Sequence, residues 1–315
     1  MAVPPRTNAI HGSSLKTALH RSQQAPTILS QQASGNNFVR RLVLDQEASA
    51  DFDSLEKLFF SCLQSADDKA ASSCLQRLAH RFGASNERIM ALQSLYDEVL
   101  ANNQQDLEQC LKKCEEILSQ NPVNLPIRKR QIALLRSLSR PTDAIFGLIQ
   151  LLEATPTDAE AWCELAEIYQ SQGMSPQAIF SLEEALLIVP HAWNVHSRLG
   201  EILYVYASSL GNERAYLHLQ SSIRHFCRSV ELCDDYLRGF YGLVLATSRS
   251  LNDHDPATTS EDPSSREMLS KRLHSLATEK LRGILQTQCS REPHLREYEE
   301  HELAAARKLL DDSSI

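Results

Sequence analysis

Apolar and polar positions follow a helical period along most of this chain, and near its centre the pattern itself repeats. Pro122, Pro156 and Pro190 recur there at intervals of 34 residues. The stretch that ends at Pro190, AWCELAEIYQSQGMSPQAIFSLEEALLIVP, sets bulky and small residues in a fixed order. The positions of that order are Trp162, Leu165, Ala166, Tyr169, Ala178, Leu182, Ala185 and Pro190.

The order has a steric meaning. Two helices can cross closely only where a small residue lies at the contact, which we assign to Ala166 and Ala178. Pro190 ends the second helix because it lacks an N–H and clashes with the preceding turn, and Gly173 supplies a permissive backbone between the helices. A unit of this kind with a 34-residue period is typical of the tetratricopeptide repeat (TPR). We predict an all-α, TPR-type helical-hairpin solenoid, a right-handed superhelix with degenerate end repeats, in which those eight positions pack the repeats.

The neighbouring repeats depart from this order in two places. Arg128 and Gln131 occupy positions of the preceding unit that are bulky in the consensus. After Pro190, the next second helix comes late, because Ser222 follows Ala178 by 44 residues rather than 34. This unit therefore carries an insertion of ten residues. Such insertions lengthen the first helix or bulge from one face.

Composition shifts divide the chain. Residues 1–44 contain five basic residues and no acidic one, and we predict a basic, poorly ordered segment that leads into a short helix near 15–33. A mitochondrial transit peptide is the alternative, but three prolines interrupt the segment and its arginines do not line one face. We assign residues 45–251 to the TPR solenoid, with its clearest repeats at 107–234.

The last part of the chain looks different. Residues 252–267, NDHDPATTSEDPSSRE, are acidic and rich in Ser and Thr, which predicts a linker or exposed loop. Residues 268–315 are predicted to form C-terminal capping helices.

Charge and cysteine usage narrow the function classes. The net charge is −8, which disfavours a generic nucleic-acid binder. No uncharged apolar run reaches the roughly 18 residues of a membrane span, and the N-terminus lacks the apolar core of a secretory signal. Eight cysteines lie mostly inside helical patterns, and no N-x-S/T sequon is present. We therefore expect a soluble, cytosol-facing protein with free thiols.

No catalytic constellation emerges. Walker A, G-x-G-x-x-G, H-E-x-x-H and G-x-S-x-G motifs are all missing from the sequence. Cys110 and Cys114 lie on one helix face, and His225, Cys227 and Cys233 are close in sequence, but a metal site needs ligands that converge. Packing is favoured for the first pair, and metal binding is the less favoured interpretation of the second group. We predict no enzyme activity, no cofactor and no metal.

The first helices of TPR units line a concave groove, and their charges suggest partner binding. The predicted groove residues change from basic to acidic along the chain: Lys129, Arg136, Glu160, Glu167 and Glu201. An acidic wall repels the acidic tails that chaperone-binding TPR domains hold. The alternative is that these charges only keep the groove soluble.

Taken together, the chain resembles subunit 2 of the endoplasmic reticulum (ER) membrane protein complex, roughly from residue 50 to 290. Five segments carry the resemblance: CLQRLAHRF (74–82), ILSQNPVNLPIRKRQIALLRS (117–137), DAEAWCELAEIY (158–169), AIFSLEEALLIVPH (178–191) and RSVELCDDYLRGFYGLVLA (228–246). The insertion before Ser222 fits that family as well.

The resemblance implies a non-catalytic, peripheral subunit at the cytoplasmic face of the ER membrane. It implies a scaffold that holds cytosolic loops and helices of membrane subunits and contacts another soluble subunit, in a complex that inserts transmembrane proteins, tail-anchored ones included. It implies neither nucleic-acid binding nor a membrane span of its own. The alternative is a soluble TPR co-chaperone or adaptor that binds peptide tails.

Overall fold

The structure is a computed structural model that describes residues 15–33, 45–211, 213–252, 263–291 and 298–312. Within these ranges the chain forms fourteen helices and no strand. In chain order they are α1 (Leu15–Ala33), α2 (Asp45–Gln64), α3 (Asp68–Phe82), α4 (Glu87–Val99), α5 (Gln104–Gln120), α6 (Leu125–Ser137), α7 (Pro141–Ala154), α8 (Ala159–Ser171), α9 (Ser175–Ile188), α10 (Trp193–Ser209), α11 (Glu213–Leu232), α12 (Leu237–Asn252), α13 (Pro263–Ser290) and α14 (Glu300–Asp312). The predicted all-α, TPR-type fold is confirmed.

The chain divides into two compact units, Met1–Gly147 and Leu148–Ile315. In the first unit, α2, α3 and α4 share one apolar core, in which Phe59, Cys74 and Leu78 are fully buried. Glu98 on α4 accepts hydrogen bonds from the guanidinium of Arg130 and from Ser137 Oγ, the latter at 3.3 Å. These contacts hold α6 against α4.

The second unit contains the most regular hairpin, α8–α9. Asp158 caps the first turn of α8 by accepting a hydrogen bond from the Ala161 N–H at 3.1 Å. Gly173 lies between the two helices with φ of +73°, a left-handed conformation that glycine adopts without steric cost. The α9 helix ends at Ile188, two residues before Pro190.

The ten-residue insertion is spread over both helices of the following hairpin. The α10 helix has 17 residues against 13 in α8, and α11 has 20 against 14 in α9. The expected lengthening of the first helix therefore accounts for only part of the insertion. The two helices remain closely packed, because Ser222 Oγ on α11 donates a 2.7 Å hydrogen bond to the Gly200 carbonyl on α10.

An apolar cluster joins α10 and α11 to the last helices of the second unit. Phe226 on α11 is buried against α10 and α12, and α13 and α14 add Leu281 and Leu303 to the cluster. Arg238 on α12 pairs with Glu302 on α14 at 2.6 Å. The C-terminal helix is thus attached to the repeat that precedes it.

The predicted segment boundaries fall partly outside the described residues. The short helix expected near 15–33 is α1, whereas residues 1–14 and 34–44 are not described. In the predicted 252–267 linker, residues 253–262 are not described, and α13 begins at Pro263. The division at 44, 251 and 267 stays a prediction.

Candidate partner-binding surface

The eight predicted packing positions lie at and around the α8–α9 contact. The small residues Ala166, Ala178 and Ala185 are buried, and so are Leu165 and Leu182. Trp162 and Tyr169 are partly buried against the same cluster. Pro190 is exposed, and its carbonyl accepts a 3.1 Å hydrogen bond from Nε2 of His196.

The basic pair of predicted groove residues lies on α6, in the first unit. Asn124 starts this helix, since its side chain accepts a 3.1 Å hydrogen bond from the Ile127 N–H. Lys129 and Arg136 are both exposed. They are seven residues apart, so they lie on the same helix face about two turns from each other.

The acidic predicted groove residues lie in the second unit. Glu160 and Glu167 are exposed and seven residues apart on α8. Burial raises the pKa of the Cys163 thiol between them, and the charges of Glu167 and Glu160 raise it further. Spacings of three and four residues place Glu160, Cys163 and Glu167 on one face of α8, which is why both carboxylates act on the thiol.

Glu201 differs from the two other carboxylates. It lies on α10 and forms an ion pair with Arg198 at 2.9 Å. Arg198 is three residues away on the same helix, so its cation offsets the negative charge that the sequence pattern suggested at this position. The acidic character of the predicted groove therefore rests mainly on Glu160 and Glu167.

Two polar atoms of the second unit, Gln170 Oε1 on α8 and Ser197 Oγ on α10, are buried without a hydrogen-bond partner among the described residues. Ser197 is only 1% exposed. Buried polar groups without partners are rare in native structures, because each one costs free energy. Nothing in the sequence pattern indicated that these two atoms would be unsatisfied.

The cysteine and histidine candidates form no larger cluster. All eight cysteines are free, and Cys110 and Cys114 are buried in α5. His225 stacks on His196, with 3.1 Å between their Nδ1 atoms. Among the described residues no group of three or more His, Cys, Asp or Glu side chains is arranged to hold a metal ion.

None of the described helices combines the length and the apolarity that a membrane span requires.

Comparison with known families gives a match over the middle of the chain. The family described as the EMC2 TPR-like repeat domain matches residues 86–210. This range begins at Asn86, which caps the N-terminus of α4, and ends at Leu210, which follows the last residue of α10. The family boundaries therefore coincide with helix boundaries.

Curated relatives match a longer part of the chain. The TPR repeat protein oca3 of Schizosaccharomyces pombe is 35% identical over 192 residues, which are 61% of this chain and 64% of that protein. ER membrane protein complex subunit 2-A of Xenopus laevis is 31% identical over 192 residues, 61% of either chain. ER membrane protein complex subunit 2 of Saccharomyces cerevisiae is 27% identical over 203 residues, 62% of this chain and 69% of that protein.

The chain matches less than two thirds of the length of the first two relatives. Their names and the family match agree with the resemblance that the five sequence segments indicated. The resemblance to subunit 2 of the ER membrane protein complex is thus confirmed, and residues 86–210 of this chain match the family described as the EMC2 TPR-like repeat domain.

Proposed function

We propose that this chain is a non-catalytic scaffold subunit of the ER membrane protein complex. It lies at the cytosolic face of the ER membrane and organises membrane-embedded subunits for the insertion of transmembrane proteins, including tail-anchored ones. The observation that carries the proposal is the family match, which covers the helices from α4 to α10. These helices also bear all the predicted groove residues.

The groove charges suggest which partner segments the scaffold holds. Lys129 and Arg136 on α6 favour partner segments with acidic residues, and Glu160 and Glu167 on α8 favour basic ones. Cytosolic loops and helices of the membrane subunits, and another soluble subunit, are the proposed partners.

Purification from detergent-solubilised membranes tests the scaffold role. We expect the tagged chain to co-purify with multi-spanning membrane proteins in stoichiometric amounts. The double variant Lys129→Glu/Arg136→Glu reverses two exposed charges on one helix face and should reduce their recovery. Lys69→Glu/Lys112→Glu is the matched control, because it reverses two exposed lysines of α3 and α5.

Two outcomes would count against the scaffold role. The first is a wild-type preparation without stoichiometric multi-spanning partners. The second is micromolar binding of acidic C-terminal peptides in calorimetry, which would favour the co-chaperone adaptor. Loss of membrane partners in both double variants alike would show that the predicted groove residues have no special role.

A further inference from the structure

The second unit contains an open pocket on the hairpin that carries the repeat signature. It encloses about 570 Å³ between the C-terminal half of α7, one face of α8 and the N-terminal half of α9. This volume lies within the range of roughly 300–1,000 Å³ that binding pockets occupy. Apolar side chains form most of its wall: Ile149, Leu152, Trp162, Leu165, Tyr169 and Phe180.

Two aromatic side chains of the pocket, the exposed Phe180 and the partly buried Trp162, contact each other. Phe180 is 54% exposed, and its ring meets Trp162 edge-on at 6.1 Å between ring centroids. The Trp162 Nε1–H donates to the Pro156 carbonyl at 2.9 Å, so the polar end of the indole is satisfied within the chain. Rigid aromatic surfaces of this kind contribute strongly to binding an apolar anchor residue.

This pocket is separate from the predicted groove. Trp162, Leu165 and Tyr169 point to one side of α8, whereas Glu160 and Glu167 lie on the other. With about 100° of rotation per residue, the two sets are roughly 180° apart around the helix axis. A partner in the pocket would therefore leave the groove face of α8 accessible.

Charge restricts the chemistry of the occupant. Glu153 lies in the pocket wall, and no described Lys, Arg or His forms an ion pair or hydrogen bond with its carboxylate. Residues 148–197, which include all of α8 and α9, contain seven carboxylates and no Lys or Arg. A segment whose Asp and Glu residues are not balanced by Lys or Arg attracts cationic partners and repels anionic ones, including acidic lipid surfaces.

We propose that this pocket binds an amphipathic helix of a protein partner, with bulky apolar residues on one face and Lys or Arg beside them. The apolar residues enter between Phe180, Trp162 and Ile149, and a flanking cation pairs with Glu153. This mode follows the general recognition of a helix in an apolar groove, in which residues at i, i+3 and i+4 act as anchors. The inference is independent of the proposed membership of a membrane complex.

Fluorescence anisotropy with defined peptides and the full-length chain tests the charge and apolar requirements. The probe is a labelled peptide of about 18 residues, long enough to form a helix, with Leu on one face and Lys on the rest. Two matched peptides replace every Lys by Glu or every Leu by Ser. We expect saturable binding of the basic peptide, weaker binding at higher salt, and at least about tenfold weaker binding of both matched peptides.

Variants locate the site. Phe180→Ala should weaken binding of the basic peptide about tenfold or more, and Gln177→Trp should do so by filling the pocket mouth without touching the core. Leu187→Ala is the matched control, since Leu187 is 77% exposed on the same helix and lies outside the pocket. Glu153→Lys should weaken the basic peptide and favour the acidic one, whereas Glu116→Lys on α5 should change neither.

Circular dichroism checks that each variant folds. If Phe180→Ala does not fold, Gln177→Trp still tests whether the peptide binds in the pocket. Equal affinity of the wild type, Phe180→Ala and Gln177→Trp would overturn the proposal. So would the absence of saturable binding of the basic peptide up to a concentration of about 1 mM. A dimer of this chain that Phe180→Ala dissociates would show instead that the pocket holds a second copy.

Discussion

At the residue scale, the close approach of α10, α11 and α12 depends on glycine beside one aromatic ring. Phe226 is 1% exposed, and a Cβ placed on Gly242 would lie 2.1 Å from its ring. A Cβ on Gly200 would lie 3.1 Å from the same ring. Gly242 has ordinary helical geometry, so lack of space rather than an unusual φ requires glycine there.

Gly242→Ala should therefore destabilise the protein. The ring of Phe226 has to move within a packed core, and overpacking of this kind costs about 1–3 kcal/mol. Urea unfolding monitored by circular dichroism measures the change. Gly283→Ala is the control, because Gly283 is an exposed helical residue of α13 with nothing within 4 Å of an added Cβ. The free energy of unfolding of that control should rise by about 0.5–1 kcal/mol. Equal effects of the two substitutions would contradict the packing argument.

The stacked pair His196 and His225 has a defined hydrogen-bond direction. The Pro190 carbonyl can only accept, so Nε2 of His196 carries the proton and donates to it. In the neutral ring, Nδ1 of His196 is then an acceptor, and Nδ1–H of His225 donates to it at 3.1 Å. Protonation of His196 at Nδ1 would remove this acceptor and place a second donor against the first.

Stability should fall in mildly acidic solution because of this pair. Burial lowers the pKa of His225 to about 4, aided by His196 and Arg224. Burial also lowers the pKa of His196, and Arg228 and His191 contribute. The unfolded chain, with a histidine pKa of about 6.5, binds protons that the folded chain does not. Stability present above pH 6.5 is therefore lost as the pH falls towards about 4.

For two half-buried rings, a loss of about 1 kcal/mol between pH 7.5 and pH 5 is expected after allowance for solvent screening. Urea unfolding at a series of pH values measures it. His225→Gln keeps a neutral donor to His196 but cannot be protonated, so this variant should lose less stability between pH 7.5 and pH 5. His80→Gln, an exposed histidine of α3, should behave like the wild type. A pH slope unchanged in His225→Gln would contradict the assignment.

At the element scale, side-chain caps fix where the repeat helices begin. Asn124, which caps α6, is 1% exposed, whereas Asn86, which caps α4, is exposed. Alanine at an N-cap costs about 0.5–2 kcal/mol. Asn124→Ala should fall at the upper end, because the buried Ile127 N–H loses its partner where water cannot replace it. Asn86→Ala should fall at the lower end, and thermal unfolding that gives the reverse order would contradict this account.

The sequence predicted the regular elements well, because steric repeats leave a strong pattern. The positions of Ala166 and Ala178 identified the α8–α9 hairpin, and the late Ser222 revealed the ten-residue insertion. Its division between α10 and α11 could not be predicted, because both helices can lengthen without breaking the apolar period. The partner of Ser222 could not be predicted either. Its buried hydroxyl takes the place of alanine because it donates to the Gly200 carbonyl on the neighbouring helix.

The candidate surfaces were less predictable, since they depend on side chains from different helices. The sequence pattern predicted Glu201 as an acidic groove residue, but its ion pair with Arg198 depends on the side-chain rotamers. The sequence pattern did not indicate the pocket, because Trp162 and Tyr169, which line it, fit the consensus as packing residues. An exposed Phe180 on a helix with no basic residue was the available signal.

At the scale of the whole molecule, one tyrosine connects residues that are far apart in sequence. Tyr298, just before α14, donates through its hydroxyl to the Asp235 carbonyl at 2.7 Å. The same oxygen accepts from the buried Leu237 N–H at 3.1 Å, a pairing across 61 positions. The hydroxyl thereby joins the start of α12 to the C-terminal helix, next to the ion pair of Arg238 and Glu302.

Tyr298→Phe should weaken the attachment of the C-terminal helix. The substitution keeps the ring but leaves the Leu237 N–H without its acceptor, and an unsatisfied buried group costs about 1–3 kcal/mol. We expect a lower free energy of unfolding and faster amide hydrogen exchange in α12 and α14. Tyr206→Phe is the matched control, because within the described residues the Tyr206 ring contacts His218 and its hydroxyl makes no hydrogen bond. If both variants unfold at the same urea concentration as the wild type, the Tyr298 hydroxyl does not hold the helix, and the attachment depends on apolar contacts such as those of Leu303.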